Sequence, residues 1–127
     1  MPTNGPESTV REFSRAFNEG NVDAVLKLYE PQAVLLWQPD QTAAGTDALR
    51  MALRKFSSMK PTLTMGKYRL VIAGDIALSI VNWTLAGVGP DSKPVQMAGT
   101  TSDVLRRQPD VRWLFVIDNP WGADVLP

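Results

Sequence analysis

Residues 95–118, VQMAGTTSDVLRRQPDVRWLFVID, decide the fold class. Two runs rich in β-branched and aromatic residues, Val95–Arg107 and Val111–Asp118, flank Gln108-Pro109-Asp110, a triplet suited to a tight reversal. The pair reads as two long antiparallel strands. Upstream, Leu63–Ile72 and Ile76–Ala86 have the same character and are separated by Ala73-Gly74-Asp75, while Gly89-Pro90-Asp91-Ser92 leads into Val95. Turn residues between consecutive strand-like runs imply an antiparallel meander from residue 63 to residue 118.

Before residue 60 the period changes to that of helices. Val10, Phe13 and Phe17 mark one face of a helix over Glu7–Glu19, with Asn4 and Glu7 spaced as a capping box and Gly20 as the stop. Asn21 is placed to cap a second helix carrying Val22, Val25, Leu28 and Tyr29, and Pro31 blocks its continuation. Ala33–Trp37 reads as a short strand and Pro39–Gly45 as a polar loop. Thr46 is placed to cap a third helix with Leu49, Leu53, Phe56 and Met59 on its buried side. The expected class is α+β: three N-terminal helices packed on a strongly curved, mostly antiparallel sheet of four long strands and one short one, in a single domain over residues 1–127. Ile76-Ala77-Leu78-Ser79-Ile80-Val81 is apolar on both faces, so the outer face of the sheet is expected to be covered, most simply by a second copy of the chain.

Composition removes whole classes of chemistry. The 127 residues contain neither His nor Cys, which excludes imidazole bases, thiolate nucleophiles and the usual zinc and iron ligand sets. Thirteen basic residues balance thirteen acidic ones without clustering, so no field favours nucleic acid or an anionic membrane. Gly87-Val88-Gly89-Pro90 lacks the following helix that a phosphate loop requires. With no apolar leader and no run of about 18 apolar residues, the expected location is the cytoplasm.

Several segments together resemble the nuclear transport factor 2-like superfamily, which includes ketosteroid isomerases and SnoaL-like cyclases. They are Phe17-Asn18-Glu19-Gly20-Asn21-Val22-Asp23-Ala24, Ala33-Val34-Leu35, Gly45-Thr46-Asp47-Ala48-Leu49-Arg50, Asp103 to Asp110 and Trp113 to Trp121. The resemblance implies a cystatin-like cone, a pocket between helices and sheet, and a dimer. Carried over residue by residue, it puts Trp37 where a ketosteroid isomerase has its base and Phe13 where it has a Tyr, leaving Asp103 as the matching acid. Neither an indole nor a phenyl ring can do those tasks. Asp118 falls where SnoaL-like cyclases carry an acid/base Asp.

The residues themselves lead to the same two acids. A two-residue turn at Pro109-Asp110 would set Asp103 opposite Val116 and Thr101 opposite Asp118, with both carboxyls on a face shared with Leu105, Leu114 and Val116. A three-residue loop would shift the register by one and separate them. On a shared apolar face the pair could hold two different pKa values and serve as acid and base. Against this, Asp118 can simply stabilise an Asx-type turn in Asp118-Asn119-Pro120-Trp121-Gly122, and Asp103 can face solvent and pair with Arg107 or Lys93. The candidate ligand-binding residues are Trp37 and Trp121 at strand ends, Phe13 and Phe17 on the first helix, and Asn82, Val116 and Thr101 on strands. Met51, Met59, Met65 and Met97 suit an adaptable cavity or an ordinary core equally.

These observations point to a cofactor-independent, metal-free isomerase or cyclase transferring a proton on a small apolar carbonyl compound, with Asp118 and Asp103 as catalytic groups. A non-catalytic module of the same fold, binding a ligand or a protein or serving dimerisation, is the competing expectation.

Overall fold

The computed structural model describes residues 5–127, which fold into three helices and a seven-stranded sheet. The helices are α1 (Pro6–Asn18), α2 (Val22–Leu26) and α3 (Thr46–Ser57). The strands are β1 (Tyr29–Gln38), β2 (Gln41–Ala44), β3 (Thr62–Ala73), β4 (Ile76–Val88), β5 (Pro94–Thr100), β6 (Asp103–Arg107) and β7 (Trp113–Asp118). The sheet order is β2-β1-β7-β6-β4-β3, with β5 also on β4, and only β1 and β7 run parallel. The α+β class and the curved, mostly antiparallel sheet are therefore as the sequence implies. No helix among the described residues is long and apolar enough to cross a membrane.

The differences lie at element boundaries. Asn4 falls outside the described residues; α1 starts with Pro6 at its first position, where a missing N–H costs nothing, behind a Gly5 cap without a side-chain bond. Asn21 does cap α2, accepting the Ala24 N–H at 3.0 Å. That helix ends at Leu26, so Leu28 and Tyr29 are not on it, and Pro31 lies inside β1 rather than ending a helix. A proline biases the residue before it towards extended backbone, which agrees with a strand beginning at Tyr29. The expected loop at 39–45 contains β2, hairpinned onto β1. Thr46 is the first residue of α3, and Gly45, at φ +84°, occupies the cap.

Curvature comes from interruptions of the ladder. The expected strand Val95–Arg107 is bent into β5 and β6 at Thr101-Ser102, where the Val81 N–H bonds the Thr101 hydroxyl at 3.0 Å and the Ser102 N–H bonds the Asn119 carbonyl at 2.8 Å. Register shifts also occur in β3 between Met65 and Tyr68 and in the β6–β7 pair beside Leu105. Such bulges bend a strand and increase its twist, which makes the inner face concave. Ala16 and Phe17 of α1, Val25 of α2, and Leu49 and Leu53 of α3 fill that concavity against Leu35, Ala77, Trp83, Leu105 and Phe115. Burying a Leu such as Leu49 or Leu105 contributes about 1.5–3 kcal/mol.

One end of the cone is closed by residues 119–122. Asn119 makes the Asx-type turn there: its side chain accepts the Trp121 N–H at 3.2 Å and donates to the Gly122 carbonyl at 3.1 Å. Gly122 has φ +57°, and a Cβ at this position would lie 2.5 Å from the Thr100 carbonyl oxygen, so only glycine fits the turn against β5. The indoles lock the closure from both sides. Trp83 donates to the Pro120 carbonyl at 2.7 Å, Trp121 donates to the Leu36 carbonyl at 2.9 Å, and the two rings meet edge to face at 5.6 Å.

Candidate functional site

Asp103 opens β6 and Asp118 closes β7, and both side chains are about 95% removed from solvent. They meet by a route other than a two-residue turn. The Gln108 N–H bonds the Arg112 carbonyl at 2.7 Å, the Val111 N–H bonds the Gln108 carbonyl at 2.9 Å, and Val111 has φ +64°. This is a three-residue loop, a type I turn followed by a left-handed residue, and it pairs Arg107 with Trp113 and Leu105 with Phe115. Continued unbroken, that register would separate the acids. Between Leu105 and Val104 it slips by one, pairing Val104 with Ile117 and leaving Val116 as the extra residue. The bulge cancels the effect of the loop, and the two carboxyls return to one face within hydrogen-bonding reach of each other.

Neither acid has the structural role that the sequence left open. Asn119, not Asp118, holds the turn, while Arg107 pairs with Asp75 and Asp103 makes no ion pair among the described residues. Asp103 accepts the Asn119 N–H at 2.8 Å and lies within hydrogen-bonding reach of the Thr101 hydroxyl. Asp118 accepts a hydrogen bond from the Tyr29 hydroxyl. Burial pushes the Asp103 carboxyl well above the ordinary carboxylate range, and the neighbouring Asp118 charge pushes it further. Burial raises Asp118 too, opposed by the hydrogen bonds from Tyr29 and Asp103. Burial, followed by the Asp118 charge, drives the Tyr29 hydroxyl well above its usual value. The consistent assignment has Asp103 protonated and donating, Tyr29 neutral and donating, and Asp118 as the carboxylate that receives both.

The three groups form one polar corner of an otherwise apolar cavity of about 80 Å³. Phe13 and Phe17 of α1 line it, stacked at 5.7 Å, and Phe13 also meets the Phe115 and Tyr29 rings edge-on. Thr101 and Trp121 line it as well. Three of the candidate ligand contacts do not. Trp37 lies where the β1–β2 ladder shifts register, with the Lys55 ammonium 4.9 Å from its ring centre. Asn82 alternates with the inward-facing Val81 and Trp83 and is exposed, its side-chain oxygen accepting the Thr100 hydroxyl at 2.8 Å. Val116 is the bulged residue and Leu114 pairs with the outward Arg106, so Phe115 takes the inward place expected of them. Of the methionines, Met65 and Met97 line the cavity and Met51 is exposed.

Tyr29 was hidden in the sequence by its reading as part of a helical stripe. The bias of Pro31 towards extended backbone was the available signal. Ser79 was equally unmarked: fully buried, it pairs in register with Asp103, and its hydroxyl makes no hydrogen bond among the described residues. Among the described residues no cluster of three or more acidic side chains is arranged to hold a metal ion.

No curated protein sequence matches the chain. Solved structures match it closely in shape at low identity. A nuclear transport factor 2-like protein from Salmonella enterica serovar Typhimurium is 15% identical with a TM-score of 0.78, over 88% of this chain and 84% of the other. A proposed dehydratase of the same family from Streptomyces avermitilis is 14% identical with a TM-score of 0.78, over 89% and 90%. A protein described as having a cystatin-like fold, from Novosphingobium aromaticivorans, is 14% identical with a TM-score of 0.73, over 87% and 75%. At these identities the likeness is one of fold. A sequence profile of the SnoaL-like domain matches residues 10–114, and the chain belongs to that family.

Proposed function

We propose that this protein catalyses proton transfer on a small, largely apolar carbonyl compound, as an isomerase or cyclase, with Asp118 as the base and Tyr29 and Asp103 as the hydrogen-bond donors. The observation that carries this reading is the buried carboxyl pair with its tyrosine on the wall of an apolar cavity. Asp118 removes a proton α to the carbonyl; the C–H bond breaks and its electron pair moves to the carbonyl oxygen as an enolate. Protonation neutralises Asp118 and releases the two O–H donors, which turn to the developing oxyanion where its charge needs them. The proton is then returned at another carbon, completing an isomerisation, or the enolate carbon attacks a second carbonyl carbon of the same molecule, whose C=O π pair moves to its oxygen and takes the proton from Asp118, completing an aldol-type cyclisation. Elimination of water begins with the same proton removal, which agrees with the role proposed for the Streptomyces avermitilis relative.

The outer sheet face supports a homodimer. Val71, Leu78, Val104 and Ile117 form one row across β3, β4, β6 and β7, with Val71, Leu78 and Ile117 exposed by 46%, 39% and 40%. An exposed apolar row of this length is the kind of surface that a second copy covers.

Three outcomes are expected. In D₂O, exchange of the α-protons of 2-tetralone, followed by NMR, is accelerated by the protein; Asp118→Asn lowers that rate by roughly 10²–10⁴-fold, and equal rates in variant and parent would refute the base assignment. Both carboxyls take up protons on folding because their folded pKa values lie above the unfolded value of about 3.9, so their contribution to stability is present below that pH and is lost as pH rises through the folded values. Asp103→Asn retains an acceptor for the Asn119 N–H and removes the larger share of the proton uptake. Its melting temperature therefore gains on the parent's as pH rises from about 4 towards neutrality, whereas a gap independent of pH would contradict the assignment. Light scattering is expected to give twice the 14.0 kDa chain mass for the parent and a single chain mass for Leu78→Glu.

A further inference from the structure

The acid cavity, at about 80 Å³, is smaller than the roughly 300–1,000 Å³ of ordinary small-molecule pockets. A larger concavity of about 470 Å³ lies beside it, between α1 and the edge strand β3. Glu7, Ser14 and Arg15 border it on the helix side, and Tyr68 and Leu70 on the strand side. Val10, Met65 and Val81 line both spaces and so form the wall between them. Two of these three cannot move easily. Val10 and Val81 are β-branched and stiff at χ1, and Val81 is pinned through its N–H and its carbonyl to Thr101. Met65 is half-buried, unbranched and flexible, and β3 loses its register with β4 immediately after it.

We propose that the cavity and the groove are two halves of one binding site, partitioned by the Met65 side chain. Its ligand is an elongated carbonyl compound: the apolar carbonyl end enters the acid cavity and the remainder lies in the groove along α1. The groove specifies the far end of that ligand. Its floor is apolar, with Val10, Leu70 and Val81, while on its rim Glu7 and Arg11 carry opposite charges and Arg15 is already paired with Glu12 and Glu19. A rim of that balance, with the Ser14 hydroxyl beside it, suits a neutral hydroxyl-bearing end rather than an anion. The identity of the carbonyl end rests on the proton-transfer reading; the joining of the two spaces does not.

The test is methyl NMR of the full chain titrated with 6-hydroxy-2-acetylnaphthalene. One site predicts that the ketone shifts the Met65 methyl together with those of Leu53, which lines only the cavity, and Leu70, which lines only the groove. Met65→Ala, which removes the partition, is expected to tighten binding about tenfold, and Met65→Trp, which fills it, to weaken binding at least about tenfold. Shifts confined to Leu53 or to Leu70, no shift at all, or affinities unchanged in both variants would overturn the proposal. Deuterium exchange into the acetyl group, measured on the same samples, separates the two ideas. Binding across both halves without exchange leaves the single site standing and removes the proton-transfer reading.

Discussion

Two carboxyl groups buried side by side in an apolar cavity cannot both be ionised, and the rest of the site is organised around that constraint. One proton must be held between Asp103 and Asp118, and the surroundings decide where. Asp103 has Asp118 as its near neighbour and no cationic partner among the described residues, while Asp118 receives the Tyr29 hydroxyl as well. Burial makes both acids weaker, and the hydrogen-bond pattern separates their roles. Phe13, Phe17, Phe115 and Trp121 provide the dry surroundings that maintain the difference.

The pair depends in turn on two compensating irregularities in one hairpin. The loop at Pro109–Val111 sets the register one residue away from the arrangement that brings the acids together, and the Val116 bulge restores it. A β-bulge changes which face a side chain occupies without altering the alternation of the sequence on either side. The residues that meet at the site therefore depend on a backbone feature that leaves little trace in residue pattern.

This explains what was legible in the sequence. Helical stripes such as Val10, Phe13 and Phe17, and turn signals such as Ala73-Gly74-Asp75, are local, and they led to the correct class of fold. The two acids were legible as a pair, though through a register that the hairpin does not adopt. Tyr29 was not, since its partnership with Asp118 spans 89 positions and its neighbours read equally well as a helix end. Trp37 and Asn82 failed as cavity residues for backbone reasons: Trp37 sits where the β1–β2 ladder shifts register, and alternation turns Asn82 outward. Ser79 sits in an apolar run, and only the β4–β6 register reveals that its unpartnered hydroxyl lies across from Asp103.

The most direct measurement is a carbon-detected NMR titration of the side-chain carboxyls, with Asp103→Asn and Asp118→Asn used to assign the two resonances. The account predicts that both acids titrate above the ordinary value of about 3.9, Asp103 the higher of the two, and that removing either one shifts the other. Two independent titrations near the ordinary value would contradict it and leave Asp103 ionised, unable to donate a hydrogen bond to a developing oxyanion.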